Sequence, residues 1–229
     1  LRVTPGKVHR IETEMGEIVA PVLVLGLNGY APRIGFFRDR VMPLCSYVIA
    51  TEPLSPAQWD SIGWQQRQGI ADMRALFDYQ RPTADGRIVI GGSDAPYFAG
   101  DSLSSGNYKP AIETLTRSLF TTFPQLEGLR IDHAWGGTMG FTLDFTPSVG
   151  VMGEHRNIYY GVAYNGEGVA FSQTAGRILS DLMAGEENDL TRLFVVNHEM
   201  PWLGPAPLRI VSERLYKWYL SRGPGNTVR

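Results

Sequence analysis

The segment Tyr164-Asn165-Gly166-Glu167-Gly168-Val169 is where residue types and spacing point most directly to chemistry. A β-rich stretch beginning at Ile158 runs through closely spaced glycines into an amphipathic segment, which leaves backbone N–H groups free for an anion or a polarised carbonyl. From Val169 to Met183 the apolar positions Val169, Ala170, Ala175, Ile178, Leu179, Leu182 and Met183 mostly share one helical stripe, and Gly185 supplies the stop. Gly166-x-Gly168 after a strand, with the acidic Glu187 roughly 20 residues on, invites comparison with a dinucleotide fingerprint. That reading fails at Phe171, which stands where a third glycine would let helix and strand pack closely. Two readings stay open: an ordinary tight turn, or a helix start that faces a bound ligand.

Other familiar constellations are absent. There is no Gly-x-Ser-x-Gly elbow and no Walker sequence, and His9, His133, His155 and His198 lack metal-ligand spacing. No residue is singled out as catalytic and no metal site is expected. Cys45, near an apolar strand, reads as a small core residue. Trp135-Gly136-Gly137 is either a packing feature or a place where backbone approaches a flat ring.

The elements that must position these residues are mostly strands. Val8 to Thr13 alternates, Met15-Gly16-Glu17 turns, and Ile18 to Leu27 reads as one buried strand ahead of Asn28-Gly29-Tyr30. Ser46 to Thr51 is another strand, followed by Ser55-Pro56-Ala57-Gln58, a capping box with Pro at the first helical position. Between Leu76 and Ile90 two strands flank Ala84-Asp85-Gly86, whose Asp-Gly pair suits a hairpin turn. Ala95 to Lys109 reads as a polar lid-like loop, and Pro110 opens a helix with Ile112, Leu115, Leu119 and Phe123 on one face. Strands joined largely by hairpins, with few helices, give an α+β architecture with a largely antiparallel sheet.

A chain of 229 residues, 43% hydrophobic, can bury a full core as one large domain or two joined ones. A formal net charge of −2 with interspersed signs draws it to neither nucleic acid nor an anionic membrane. The single Cys45 excludes an internal disulfide, no signal segment is evident, and a cytoplasmic setting is expected. The longest apolar stretch, Pro21 to Leu27, falls far short of the roughly 20 residues of a membrane helix.

Five ordered segments together carry a resemblance. They are Leu27-Asn28-Gly29-Tyr30; Val48 to Leu54; Asp85 to Gly92; Trp135-Gly136-Gly137-Thr138 with Asp144, Pro147 and Gly150; and Tyr164-Asn165-Gly166-Glu167-Gly168. They resemble the C-terminal motifs of the FAD-dependent amine and amino-acid oxidoreductases of the D-amino-acid oxidase, glycine oxidase and sarcosine oxidase type, closest to the γ-glutamylputrescine oxidoreductase-like branch. The resemblance covers essentially the whole chain. It implies a largely antiparallel substrate-binding sheet with flanking helices (about 40–148), returning segments of a Rossmann-like FAD domain (about 1–35 and 150–190), and a C-terminal helix (about 205–222). The implied activity is oxidation of the C–N bond of an amine or amino acid by hydride transfer to flavin. Asn28, Gly29, Trp135, Gly136, Asn165, Gly166, Glu167, Gly168 and Val169 would bind the cofactor. Tyr47, Tyr97 and Tyr164 are candidates for the substrate wall.

Two departures from the family pattern matter. The N-terminal Gly-x-Gly-x-x-Gly turn and ribose-binding acid are not in this sequence, so the chain corresponds to the C-terminal portion and its partner would be the missing FAD-binding half or a second chain. FAD binding by the chain alone would be weak or absent. Where some members attach flavin through a Cys, the sequence reads Thr138-Met139-Gly140-Phe141, implying non-covalent FAD. Apolar Val89 at the position compared with an oxygen-activating Lys leaves the electron acceptor, oxygen or another, unassigned. The competing reading is a non-catalytic binding or assembly module derived from such a flavoprotein.

Overall fold

The computed structural model describes residues 1–92, 95–98 and 108–221, without the side chains of residues 206, 207 and 221. Most of the expected lid from Ala95 to Lys109 therefore lies outside the described residues. The chain forms two compact units, the first including Leu1–Leu44 and Thr138–Arg209, the second Cys45–Phe98, 108–137 and 210–221.

In the first unit, β1 (Arg2–Thr4), β2 (His9–Thr13) and β3 (Gly16–Ala20) form an antiparallel meander with Ile11 opposite Ile18. A second sheet has the order β10 (Ser148–Met152), β11 (Ile158–Val162), β4 (Leu23–Leu25), with β10–β11 antiparallel and β11–β4 parallel. The expected single strand from Ile18 to Leu27 is thus two strands in two sheets. Pro21 has no N–H to extend the β2–β3 ladder, so the run breaks there and β4 re-pairs with β11. Nor is the whole run buried: Ile18 and Val19 are exposed while Leu25 is buried.

Helix α3 (Gly168–Ala184) packs Ala175 and Ile178 against Val149 and Val195. Fully burying a side chain such as Ile178 stabilises by about 1.5–3 kcal/mol. Gly185 at φ 73° ends the helix, its N–H donating to the carbonyls of Asp181 and Leu182. A second cluster joins Leu25, Tyr160 and Val162 to Ala31, which lies on a 3-10 turn over Asn28–Ile34.

The second unit holds a sheet in the order β6 (Ile70–Ala71), β7 (Asp78–Pro82), β8 (Ile88–Gly92), β5 (Met42–Thr51), β9 (Ile131–Phe141), antiparallel at the β6–β7, β7–β8 and β8–β5 pairings, and β5 and β9 run across the unit boundaries. Helix α1 (Pro56–Ile62) starts at the expected capping box: Ser55 Oγ accepts from the Gln58 N–H, and Gln58 Oε1 accepts from the Ser55 N–H at 2.8 Å. The Asp85-Gly86 turn has Gly86 at φ 85°. Helix α2 (Lys109–Thr122) buries Leu115 and Leu119 in a core with Ile49, Ile88 and Ile90. Helix α4 (Ala206–Ser221) closes the described chain. Among the described residues no helix is long and apolar enough to cross a membrane.

Candidate functional site

The end of β11 feeds a turn in left-handed conformation: Ala163 at φ 57°, Asn165 at φ 51° and Gly166 at φ 97°. Asn and Gly adopt this region readily, whereas Ala does so only when its surroundings hold it there. Those surroundings are visible. Asn165 N–H donates to the Gly140 carbonyl at 3.0 Å, its Oδ1 accepts from the Thr142 N–H at 2.9 Å, and its Nδ2 donates to the Ala163 carbonyl. From the 3-10 turn, Asn28 Oδ1 accepts from the Tyr164 N–H at 3.2 Å.

This approach requires two glycines. A Cβ on Gly29 would lie 2.6 Å from the Met139 carbonyl carbon, and one on Gly140 would lie 2.7 Å from Asn28 Oδ1 and 3.0 Å from the Gly29 nitrogen. The backbone at 28–29, the end of β9 and the turn into α3 therefore touch directly.

Beyond the turn, Glu167 N–H donates to the Tyr164 carbonyl, and the first helical bond runs from Phe171 N–H to the Glu167 carbonyl. The N–H groups of Gly168, Val169 and Ala170 precede that bond, and Glu167 gives no side-chain cap. Nothing lies within 4 Å of a Cβ built on Gly166. Val169, in the first turn of the helix, is 93% exposed and so leaves the apolar stripe expected of it, as do the exposed Ala170 and Met183. The helix start thus presents donors to open space.

Asn28, Gly29, Tyr164, Asn165, Gly166, Glu167, Gly168 and Val169 all belong to the first unit. Tyr164 is packed there: its ring lies 5.7 Å from that of Phe171, its hydroxyl rests against Gly161, and burial pushes its phenol pKa up. Trp135, Gly136, Tyr47 and Tyr97 belong to the second unit. There the flat ring beside Gly136 is the chain's own: a Cβ at that position would stand 2.7 Å from Cε1 of the fully buried Tyr47. Tyr97 is also buried, and Trp135 is 46% exposed. Gly140, Thr142 and Ala163 complete the turn's support but were absent from the sequence-derived candidates. The available signal was Gly140 itself, since a glycine inside a strand often marks close backbone approach.

Two histidines bond within the first unit: buried His9 has Nε2 3.3 Å from the Asn157 carbonyl, and His198 Nε2 lies 2.6 Å from Asp144 Oδ2. Among the described residues no cluster fits a metal ion. Cys45 is buried and, as the sole cysteine of the sequence, forms no internal disulfide.

Among the described residues the helix start has no side-chain cap and lies beside open space, an arrangement with room for a polar ligand. The profile of the FAD-dependent oxidoreductase family matches residues 1–182, and the chain belongs to that family. It is 32% identical over 206 residues to γ-glutamylputrescine oxidoreductase of Escherichia coli, covering 87% of this chain and 45% of that protein. It is also 32% identical over 187 residues to a probable oxidoreductase, OrdL, of Haemophilus influenzae, covering 79% and 40% respectively. Glycine oxidase from Geobacillus kaustophilus superposes with a TM-score of 0.65 at 17% identity, over 82% of this chain and 48% of that one. The chain spans less than half the length of these relatives.

The residues present fit one end of the family's cofactor. The N–H groups of Gly168, Val169 and Ala170, without a side-chain cap among the described residues, suit the electron-rich N1 and C2=O edge of an isoalloxazine ring. Cys45 lies in a buried core and is the sole cysteine of these 229 residues, so they offer no exposed thiol for covalent attachment of a flavin.

Proposed function

We propose that this chain supplies the ring-binding end of a non-covalent FAD site in a protein that oxidises the C–N bond of an amine or amino acid. The observation carrying the proposal is the set of uncapped N–H groups of Gly168, Val169 and Ala170, held beside open space by a tethered turn. FAD, when bound, supplies the hydride acceptor, leaving an imine that water hydrolyses. The chain's part is to hold the negative charge that reduction brings to the N1 edge. A helix N-terminus contributes about 0.3–1 kcal/mol to this, and up to ~2 kcal/mol when partly buried.

In this reading Asn28 and Gly29 close the back of the ring site and Tyr164 stands beside it in the same unit, whereas Gly136 and the fully buried Tyr47 are taken up by packing on each other within the second unit. The first unit would correspond to the returning FAD-domain segments and the second to the substrate-binding region. The pyrophosphate and adenosine would rest on a glycine-rich turn that these 229 residues do not contain, supplied by the remaining length seen in the relatives or by another chain. The names of the relatives support amines and amino acids as the substrate class.

The test is anaerobic mixing of the FAD-loaded complete protein with a panel of primary amines, secondary amines and amino acids. Bleaching of the flavin absorbance by at least one amine is expected. Bleaching only by alcohols or 2-hydroxy acids would move the protein to another class.

A further inference from the structure

The geometry points to Asn28 and Asn165 as positioning residues that set the turn into α3 before any ligand arrives, a deepening that rests on the flavin reading above. Asn165 engages both ends of its side-chain amide within the chain, and Asn28 engages its Oδ1. Asn165 bridges outward through Oδ1 to the Thr142 N–H and inward through Nδ2 to the Ala163 carbonyl. Asn28 reaches the turn from the other side through Oδ1 on the Tyr164 N–H. The residue between those tethers, Ala163, is wholly buried at φ 57°, a conformation alanine does not hold unaided.

Gly29 and Gly140 make the clamp possible, because a side chain at either would drive the backbones apart and withdraw the Asn28 amide from Tyr164. The three segments meet at separations of 23 and 136 residues along the chain. Locking them fixes the direction in which the N–H groups of Gly168, Val169 and Ala170 point. Binding then avoids the entropy of ordering the turn, and the donors do not reorganise as charge develops on reduction.

The test uses Asn165→Gly in the complete protein. Glycine tolerates the left-handed φ, so the variant removes the tethers without adding strain. Amide hydrogen exchange at Thr142, measured without flavin, should quicken about tenfold. FAD affinity should fall about tenfold, and the midpoint potential of the bound flavin should become more negative. A merely structural role would leave the potential of the bound flavin unmoved. If Asn165→Gly fails to fold, Asn28→Gly, read at the Tyr164 amide, carries the same comparison. Unchanged exchange overturns the clamp, as does faster exchange with unchanged affinity and potential. A wild-type protein that takes up no FAD overturns the flavin reading instead, while the exchange measurement still decides whether the two asparagines hold the turn.

Discussion

A methyl group at Gly29 would meet the Met139 peptide at 2.6–2.7 Å, backbone that cannot swing aside as a side chain would. Gly29→Ala should therefore destabilise the protein by about 1–3 kcal/mol, seen as a lower urea midpoint at unchanged slope. Gly137→Ala, with nothing within 4 Å of its Cβ, is the control and should be nearly neutral. The acid limb of stability has its own residue, Asp132. Arg87 at 2.7 Å and Arg130 at 2.8 Å hold its carboxyl below the usual range. A depressed folded pKa adds stability that is fully present above the unfolded value of 3.8 and lost as pH falls through the lower folded one. Asp132→Asn should therefore lose less stability than the wild type on acidification below that value, as followed by urea midpoints across pH. At this scale the sequence made Asn28, Gly29 and Asn165 to Val169 legible as a group. It did not reveal that the asparagines bond to the chain itself, because partners 136 residues apart leave no periodic trace.

Elements whose signals are local were the readable ones. The capping box of α1, the Asp85-Gly86 turn and the Gly185 stop each depend on a few adjacent residues, and each forms as read. Ser55→Ala should accordingly cost about 1 kcal/mol in thermal or urea unfolding. The Ile18 to Leu27 run was misread because hydrophobicity alone does not show which sheet a strand joins, and Pro21 decided it. Helix α3 supplies the prediction that separates fold from ligand binding. A Cβ on Gly168 meets Tyr164 only at 3.4 Å, and the backbone there is not left-handed. Gly168→Val should fold with a small penalty yet crowd Tyr164 and shift the helix start, weakening FAD binding far more than stability. Calorimetry giving equal FAD affinity for variant and wild type would return this turn to an ordinary connection.

On the scale of the whole chain, β4 is the edge of its sheet, with Val22 42% and Val24 48% exposed beside it, and Met183 on α3 is 49% exposed. Relatives matched over only 40–45% of their length carry further sequence that the proposed reading sets against such surfaces. An unpaired parallel edge with exposed valines also favours self-association of the chain on its own. The central claim is that these 229 residues provide the ring end of the flavin site without the pyrophosphate anchor. Titrating the isolated chain with FAD, following flavin fluorescence and checking particle size by light scattering, tests it most directly. No saturable binding at micromolar FAD and a tendency to associate are expected; micromolar or tighter binding by a monodisperse monomer would show that the chain anchors the cofactor without the missing turn.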